Sequence, residues 1–135
     1  MAIIQWNDKL SVKVKEIDDQ HKKLIQLVCD LETAMGSGKG KDVLNKIIVE
    51  LMNYTVYHFA LEEKYMTQYR YADIQTHKAE HAKFIAEVTA FKKDFDSGVL
   101  GLSLKVLQFL SDWLKTHIMG TDQKYSECFT RNGLA

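Results

Sequence analysis

Five histidines and two carboxylates carry the chemistry that can be read in this sequence. His58 and Glu62 are four residues apart, and so are His77 and His81. In a helix each pair sits one turn apart on a single face, where it can grip one small object. His21 and His117 stand on similar stripes, flanked by apolar residues three and four places away. A lone core imidazole is ordinarily satisfied by a backbone carbonyl, but five together with a carboxylate would leave costly polar groups in an apolar interior. Metal ions use those groups as ligands and remove the conflict. Five imidazoles exceed what one tetrahedral zinc accepts, and a carboxylate can bridge two ions. The expectation is therefore more than one metal, with a second carboxylate near His117. Asp122 is the candidate. Five residues of regular helix turn about 500°, which would leave the two side chains about 140° apart. With Gly120 and Thr121 between them, a π-type turn or loosened helix end is expected there.

The elements that must position these residues follow from the apolar period. An arm of about 17 residues with Trp6, Leu10, Val12, Val14 and Ile17 partly alternates apolar and polar, so it is expected to lie extended across the outside. Four helices are expected at about 18–36, 42–66, 73–96 and 102–120, with Asp18 or Asp19 as N-cap of the first and Asp73 as N-cap of the third. The run Gly36–Gly40 and the pair Ser97-Gly98 act as breakers. A short C-terminal segment follows. Each helix carries a seam with three- and four-residue spacing, and every histidine falls on one. Short loops make neighbouring helices antiparallel, giving an all-α, up-down-up-down four-helix bundle. In that topology His21, the ends of the second and fourth helices and the start of the third all meet at one end.

Composition sets the outer bounds. The chain has 135 residues, 46% hydrophobic, and no proline, which suits one domain of long helices over 1–135 and leaves an all-β fold without its turn signals. Eighteen basic and eighteen acidic residues give a formal net charge of zero, with no basic tract for nucleic acid. No apolar run reaches the roughly 18 residues of a membrane span, and the first residues lack a signal-peptide layout, so a cytoplasmic protein is expected. Cys29 and Cys128 have no metal-type spacing and are expected to be reduced, Cys29 as small core filler. No internal repeat or linker marks a second domain.

A larger pattern joins these residues. Ile17-Asp18-Asp19-Gln20-His21-Lys22, His58-Phe59 with Glu62-Glu63 and Met66, His77-x-x-x-His81-x-x-Phe84, and Trp113-Leu114-x-x-His117-Ile118 followed by Asp122 and Tyr125 resemble the hemerythrins, in particular their single-domain bacteriohemerythrin branch. The resemblance spans nearly the whole chain, the Trp-bearing arm included. It implies two iron ions in a non-haem, oxo- or hydroxo-bridged centre: His77, His81 and His117 on one ion, His21 and His58 on the other, Glu62 and Asp122 shared. The first ion would then be six-coordinate and the second five-coordinate, with one position open for reversible O2 binding.

Reversible binding requires a dry pocket, for which Leu24, Ile25, Phe59, Trp113, Leu114 and Ile118 are the expected lining, with Leu114 as gate. Tyr125 is expected to hydrogen-bond a ligand carboxylate, and Glu63 to be solvated. The implied role is O2 carriage, storage or delivery to an O2-consuming client protein, without catalytic residues. The alternatives are a di-iron oxidase, a peroxide- or nitric-oxide-handling enzyme, or an O2 or redox sensor. Carboxylate-rich di-iron oxidases use Glu-x-x-His pairs, and this chain contains none.

Overall fold

The computed structural model describes residues 4–135. Helices α1 (Lys15–Gly36), α2 (Gly40–Gln68), α3 (Ile74–Asp96) and α4 (Leu102–Thr116) form the bundle, followed by a π-turn (His117–Thr121) and a short helix α5 (Gln123–Arg131). α1 and α3 each pack against both α2 and α4, so the four helices close around one interior. The residue pattern explains their ends. α1 and α3 stop where Gly38 and Gly98 take positive φ of 76° and 80°, and Lys39 N–H and Val99 N–H then return to the carbonyls of Ala34 and Asp94 at 2.7 and 3.1 Å. α2 runs two residues past its expected end, because no glycine follows Met66. There Arg70 itself takes the left-handed conformation, φ 54°, and Tyr71 N–H closes onto Met66 O at 2.9 Å.

The arm from Asn7 onward is where the structure departs most from the alternation pattern. α1 begins at Lys15, three residues before Asp18. Asp18 does not cap it, because its carboxylate turns back to accept Ser11 Oγ–H at 2.5 Å and Val12 N–H at 2.8 Å. The arm also holds a 3-10 turn, Asp8–Leu10, capped by Asn7. Its apolar side chains turn inward: Leu10, Val12 and Val14 are at most 1% exposed. Gln123 and Ser126 tie α5 to it by donating to the carbonyls of Leu10 and Val12 at 3.2 and 2.6 Å. Asp73 does stand before α3, where its backbone carbonyl accepts His77 N–H at 3.1 Å, but its side chain makes no capping bond.

Burial divides the interior into two apolar clusters. The larger includes Leu24, Ile25, Leu31, Ile48, Phe59, Phe84, Leu110, Leu114 and Ile118. The smaller joins the arm and α5 to the helix ends through Val12, Val14, Ile17, Met66, Tyr71, Tyr125 and Phe129. On α1, Ile17 belongs to the smaller cluster and Leu24 to the larger, so His21 lies in a layer between them. Cys29 and Cys128 are free and partly buried, and Cys29 Sγ–H points at Ile4 O, 3.3 Å away. Among the described residues no helix is long and apolar enough to cross a membrane.

The Asp18 tie is the arm's main polar anchor. Asp18→Ala is expected to lower unfolding stability by about 2 kcal/mol, the scale of hydrogen bonds to a charged acceptor, read as a lower urea midpoint with an unchanged slope.

Candidate metal centre

The layer between the clusters holds His21, His58, Glu62, His77, His81, His117 and Asp122, each at most 2% exposed. α1 supplies His21, α2 supplies His58 and Glu62 one turn apart, α3 supplies His77 and His81 one turn apart, and the π-turn supplies His117. Asp122 reaches the same layer through that π-turn, whose extra residue closes with Asp122 N–H on His117 O at 2.7 Å. A regular α-helix would have aimed Asp122 away from His117. Here its Oδ1 is 2.9 Å from both His77 Nε2 and His117 Nε2, and its Oδ2 is 3.0 Å from His21 Nε2. Glu62 faces it, with Oε1 at 3.1 and 3.3 Å from the Nε2 atoms of His58 and His81, and Oε2 at 3.7 Å from His21 Nε2.

These approaches are close, but they do not satisfy the atoms. Nε2 of His21, His77, His81 and His117, Oε1 of Glu62 and both oxygens of Asp122 are buried without a hydrogen bond. Orphaned donors converging from four directions are what a cation requires and what a hydrogen-bonded core avoids. They resolve into two sets. One atom each from Glu62, His77, His81, His117 and Asp122 lie within 4.8 Å of one another, and so do one atom each from His21, His58, Glu62 and Asp122. The carboxylates are common to both. Imidazole rings in the first set lie 4.6–5.1 Å apart by centroid, and the pair in the second 4.7 Å. A nitrogen-and-oxygen donor set of this kind fits iron, and two ions sharing carboxylates fit the arrangement.

Electrostatics favour cations there. Burial pushes the Glu62 and Asp122 carboxyls up, and Glu62 raises Asp122 further, yet the surrounding imidazoles hold both well below the usual carboxylate range. Burial depresses His21 and His117, but Asp122 and Glu62 outweigh it, raising His21 to about 9 and His117 above its ordinary value. At His58 burial prevails and the imidazole is lowered. Two anionic carboxylates thus draw positive charge into a dry layer, and a metal binding there must displace any proton held in its place.

Comparison with known proteins agrees with this constellation. The family model described as hemerythrin HHE cation binding domain matches residues 12–128. The chain belongs to the hemerythrin family. A bacteriohemerythrin of Stenotrophomonas maltophilia is 34% identical over 94% of this chain and 82% of its own length. One of Methylococcus capsulatus is 32% identical over 96% of this chain and 99% of its own. The crystal structure of a wild-type hemerythrin superposes with a TM-score of 0.85 at 32% identity, covering 94% of this chain and 98% of that one.

Within this hemerythrin the expected pocket residues separate. Leu24, Ile25, Leu114 and Ile118 are buried in the larger cluster, 1–4% exposed, one turn or less from His21 and His117. Phe59 is buried and lies flat on His81, with centroids 3.8 Å and planes 3° apart. Trp113 packs against the same cluster from its edge, its ring 4.3 Å from that of Phe84 and 5.9 Å from that of Phe59. Half-buried, it stacks on His117 at 4.2 Å and borders an outer groove with Glu80, Lys83 and Phe109, so it covers the three-histidine set from outside. Tyr125 is fully buried, and its hydroxyl donates to Glu62 Oε2. Burial, reinforced by Asp122 and Glu62, raises that phenol well above its ordinary value, so it keeps the proton it donates.

Three supporting residues escaped the sequence pattern. Glu63, expected to be solvated, accepts His81 Nδ1–H at 2.9 Å. Gln20 Oε1 accepts His58 Nδ1–H at 2.7 Å, and Glu80 Oε1 lies 3.4 Å from His117 Nδ1 while accepting Thr121 Oγ1–H at 2.9 Å. Each acceptor turns the ring so that Nδ1 carries the proton and the Nε2 lone pair faces the centre. All three are sequence neighbours of a central residue: Gln20 beside His21, Glu63 beside Glu62, Glu80 beside His81. Adjacency to a ligand was the available signal. One residue along a helix is 100° round it, which puts the side chain at the seam with the next helix.

Tyr125→Phe removes the donor to Glu62 without changing the ring. It is expected to weaken metal affinity 10- to 100-fold, the range for lost outer partners, measured by chelator competition.

Proposed function

We propose that this hemerythrin binds O2 reversibly at two non-haem irons, one held by His77, His81 and His117, the other by His21 and His58, with Glu62 and Asp122 shared. The observation that carries this reading is the unequal division of donors: three imidazoles in one set and two in the other, with both carboxylates common. The two-imidazole ion is thereby one protein ligand short, which leaves room for a small gas. Two ferrous ions bound there would supply the pair of electrons that O2 takes up and returns on release.

The chain's own residues account for reversibility. Glu62 and Asp122 hold both positions in register from opposite sides, because they come from α2 and from beyond the π-turn. Tyr125 keeps Glu62 from rotating away by donating to its second oxygen. Leu24, Ile25, Leu114 and Ile118 exclude water and the protons it would deliver, so the gas leaves as it came. Leu114, one turn before His117, is the gate among them. Binding rather than turnover is the function, and the O2 would pass to an O2-consuming client protein.

Loading the reduced protein anaerobically is expected to give two irons per chain, and O2 admission and removal to raise and erase a visible charge-transfer band over repeated cycles. Irreversible bleaching with substrate turnover would favour the oxidase alternative, and zinc uptake without iron would remove the di-iron reading. Leu114→Ala is expected to autoxidise several-fold faster than wild type in stopped-flow traces. Equal rates would take Leu114 out of the gate role.

A further inference from the structure

The hydrogen bonds behind the imidazoles are not distributed evenly. In the three-histidine set, His81 donates to the Glu63 carboxylate at 2.9 Å, and His117 faces the Glu80 carboxylate at 3.4 Å. In the two-histidine set, His58 donates to the neutral amide oxygen of Gln20 at 2.7 Å, and His21 Nδ1 is buried with no hydrogen bond at all. His77 Nδ1 is likewise without a partner, so each set has one unsupported ring. What differs is charge: among the described residues, two carboxylates stand behind one set and none behind the other. Both carboxylates are partly exposed, Glu63 by 30% and Glu80 by 39%, and Thr121, inside the π-turn, holds Glu80 in place with its own hydroxyl.

An anionic acceptor draws the Nδ1 proton toward itself and raises electron density at Nε2, which makes the imidazole a stronger donor to a metal. Stronger donors stabilise the higher oxidation state. An amide oxygen does this far less, and an absent partner not at all. We infer that Glu63 and Glu80 are positioning residues that order the two irons in potential, so that the three-histidine ion gives up its electron more readily than the two-histidine ion that O2 would meet. The inference rests on the di-iron reading above. Its consequence is a centre in which the gas-binding ion is the more reluctant of the two to stay oxidised, which favours release over autoxidation. Glu63 has the shorter hydrogen bond and the larger share.

The test is an anaerobic spectroelectrochemical titration of the iron-loaded protein, with ferricyanide as oxidant, each equivalent becoming ferrocyanide as one ferrous ion becomes ferric. Glu63→Gln is expected to raise the lower of the two one-electron midpoints by about 59 mV, a tenfold change in a one-electron equilibrium, and the mean midpoint by half as much. Glu80→Gln is expected to raise it by less, in keeping with its longer contact. Gln20→Glu places an anion behind His58 and is expected to lower the mean midpoint, while narrowing the gap between the two one-electron steps as Glu63→Gln also does. Opposite shifts of the mean with the same narrowing are a signature that packing alone does not produce. Variants that hold two irons with unmoved midpoints, or a gap that widens, overturn the inference and leave the di-iron reading intact. A variant that folds but holds fewer than two irons assigns its residue to structure and overturns its tuning role. Wild type with fewer than two irons overturns both readings.

Discussion

The constraint on which this molecule depends is the burial of two carboxylates and five imidazoles in one dry layer. Without compensation such a layer would cost several kcal/mol per ionised group, more than the margin by which a domain of this size is stable. The structure meets part of that cost with hydrogen bonds that Gln20, Glu63 and Glu80 accept and Tyr125 donates, and leaves the rest to cations. Every atom left orphaned at the centre is a metal-ligand type. Apolar clusters enclose the layer on both sides.

The supporting hydrogen bonds run around the bundle in order. α1 offers Gln20 to His58 of α2, α2 offers Glu63 to His81 of α3, and α3 offers Glu80 to His117 at the end of α4. α1, α2 and α3 each thus place a residue in the centre and the sequence neighbour of that residue behind an imidazole of the following element. This arrangement couples the rotation of every helix to that of its neighbour. A small turn of one would move a donor and an acceptor together. Helix packing and site geometry are therefore one property here, and the closing π-turn is where the remaining mismatch is absorbed.

Much of the site was legible because helices translate spacing into direction. His58 with Glu62 and His77 with His81 share faces by arithmetic alone, and antiparallel topology brings their levels together. The π-turn was legible for the opposite reason: His117 and Asp122 could not both face inward on a regular helix, and a glycine lay between them. The arm was read less well. Its alternation suggested an outer strap, yet Asp18, spaced like an N-cap, spends its carboxylate on Ser11 and Val12 and draws Val12 and Val14 into the core. An acidic residue near a helix start has two uses, and local spacing does not separate them.

The sequence by itself determined the cluster of imidazoles and carboxylates, its helical register and the apolar residues buried beside it, since these follow from periodicities that hold before the chain packs. Tertiary structure alone decided which neighbours stand behind which imidazole. Gln20, Glu63 and Glu80 lie off the core stripe, where a helix wheel reads them as solvated, and only the position and rotation of the adjacent helix turn them toward a ring. It also decided that Trp113, at the edge of the larger cluster, stacks on His117. Both depend on distances between helices, and a one-dimensional pattern holds no information about those.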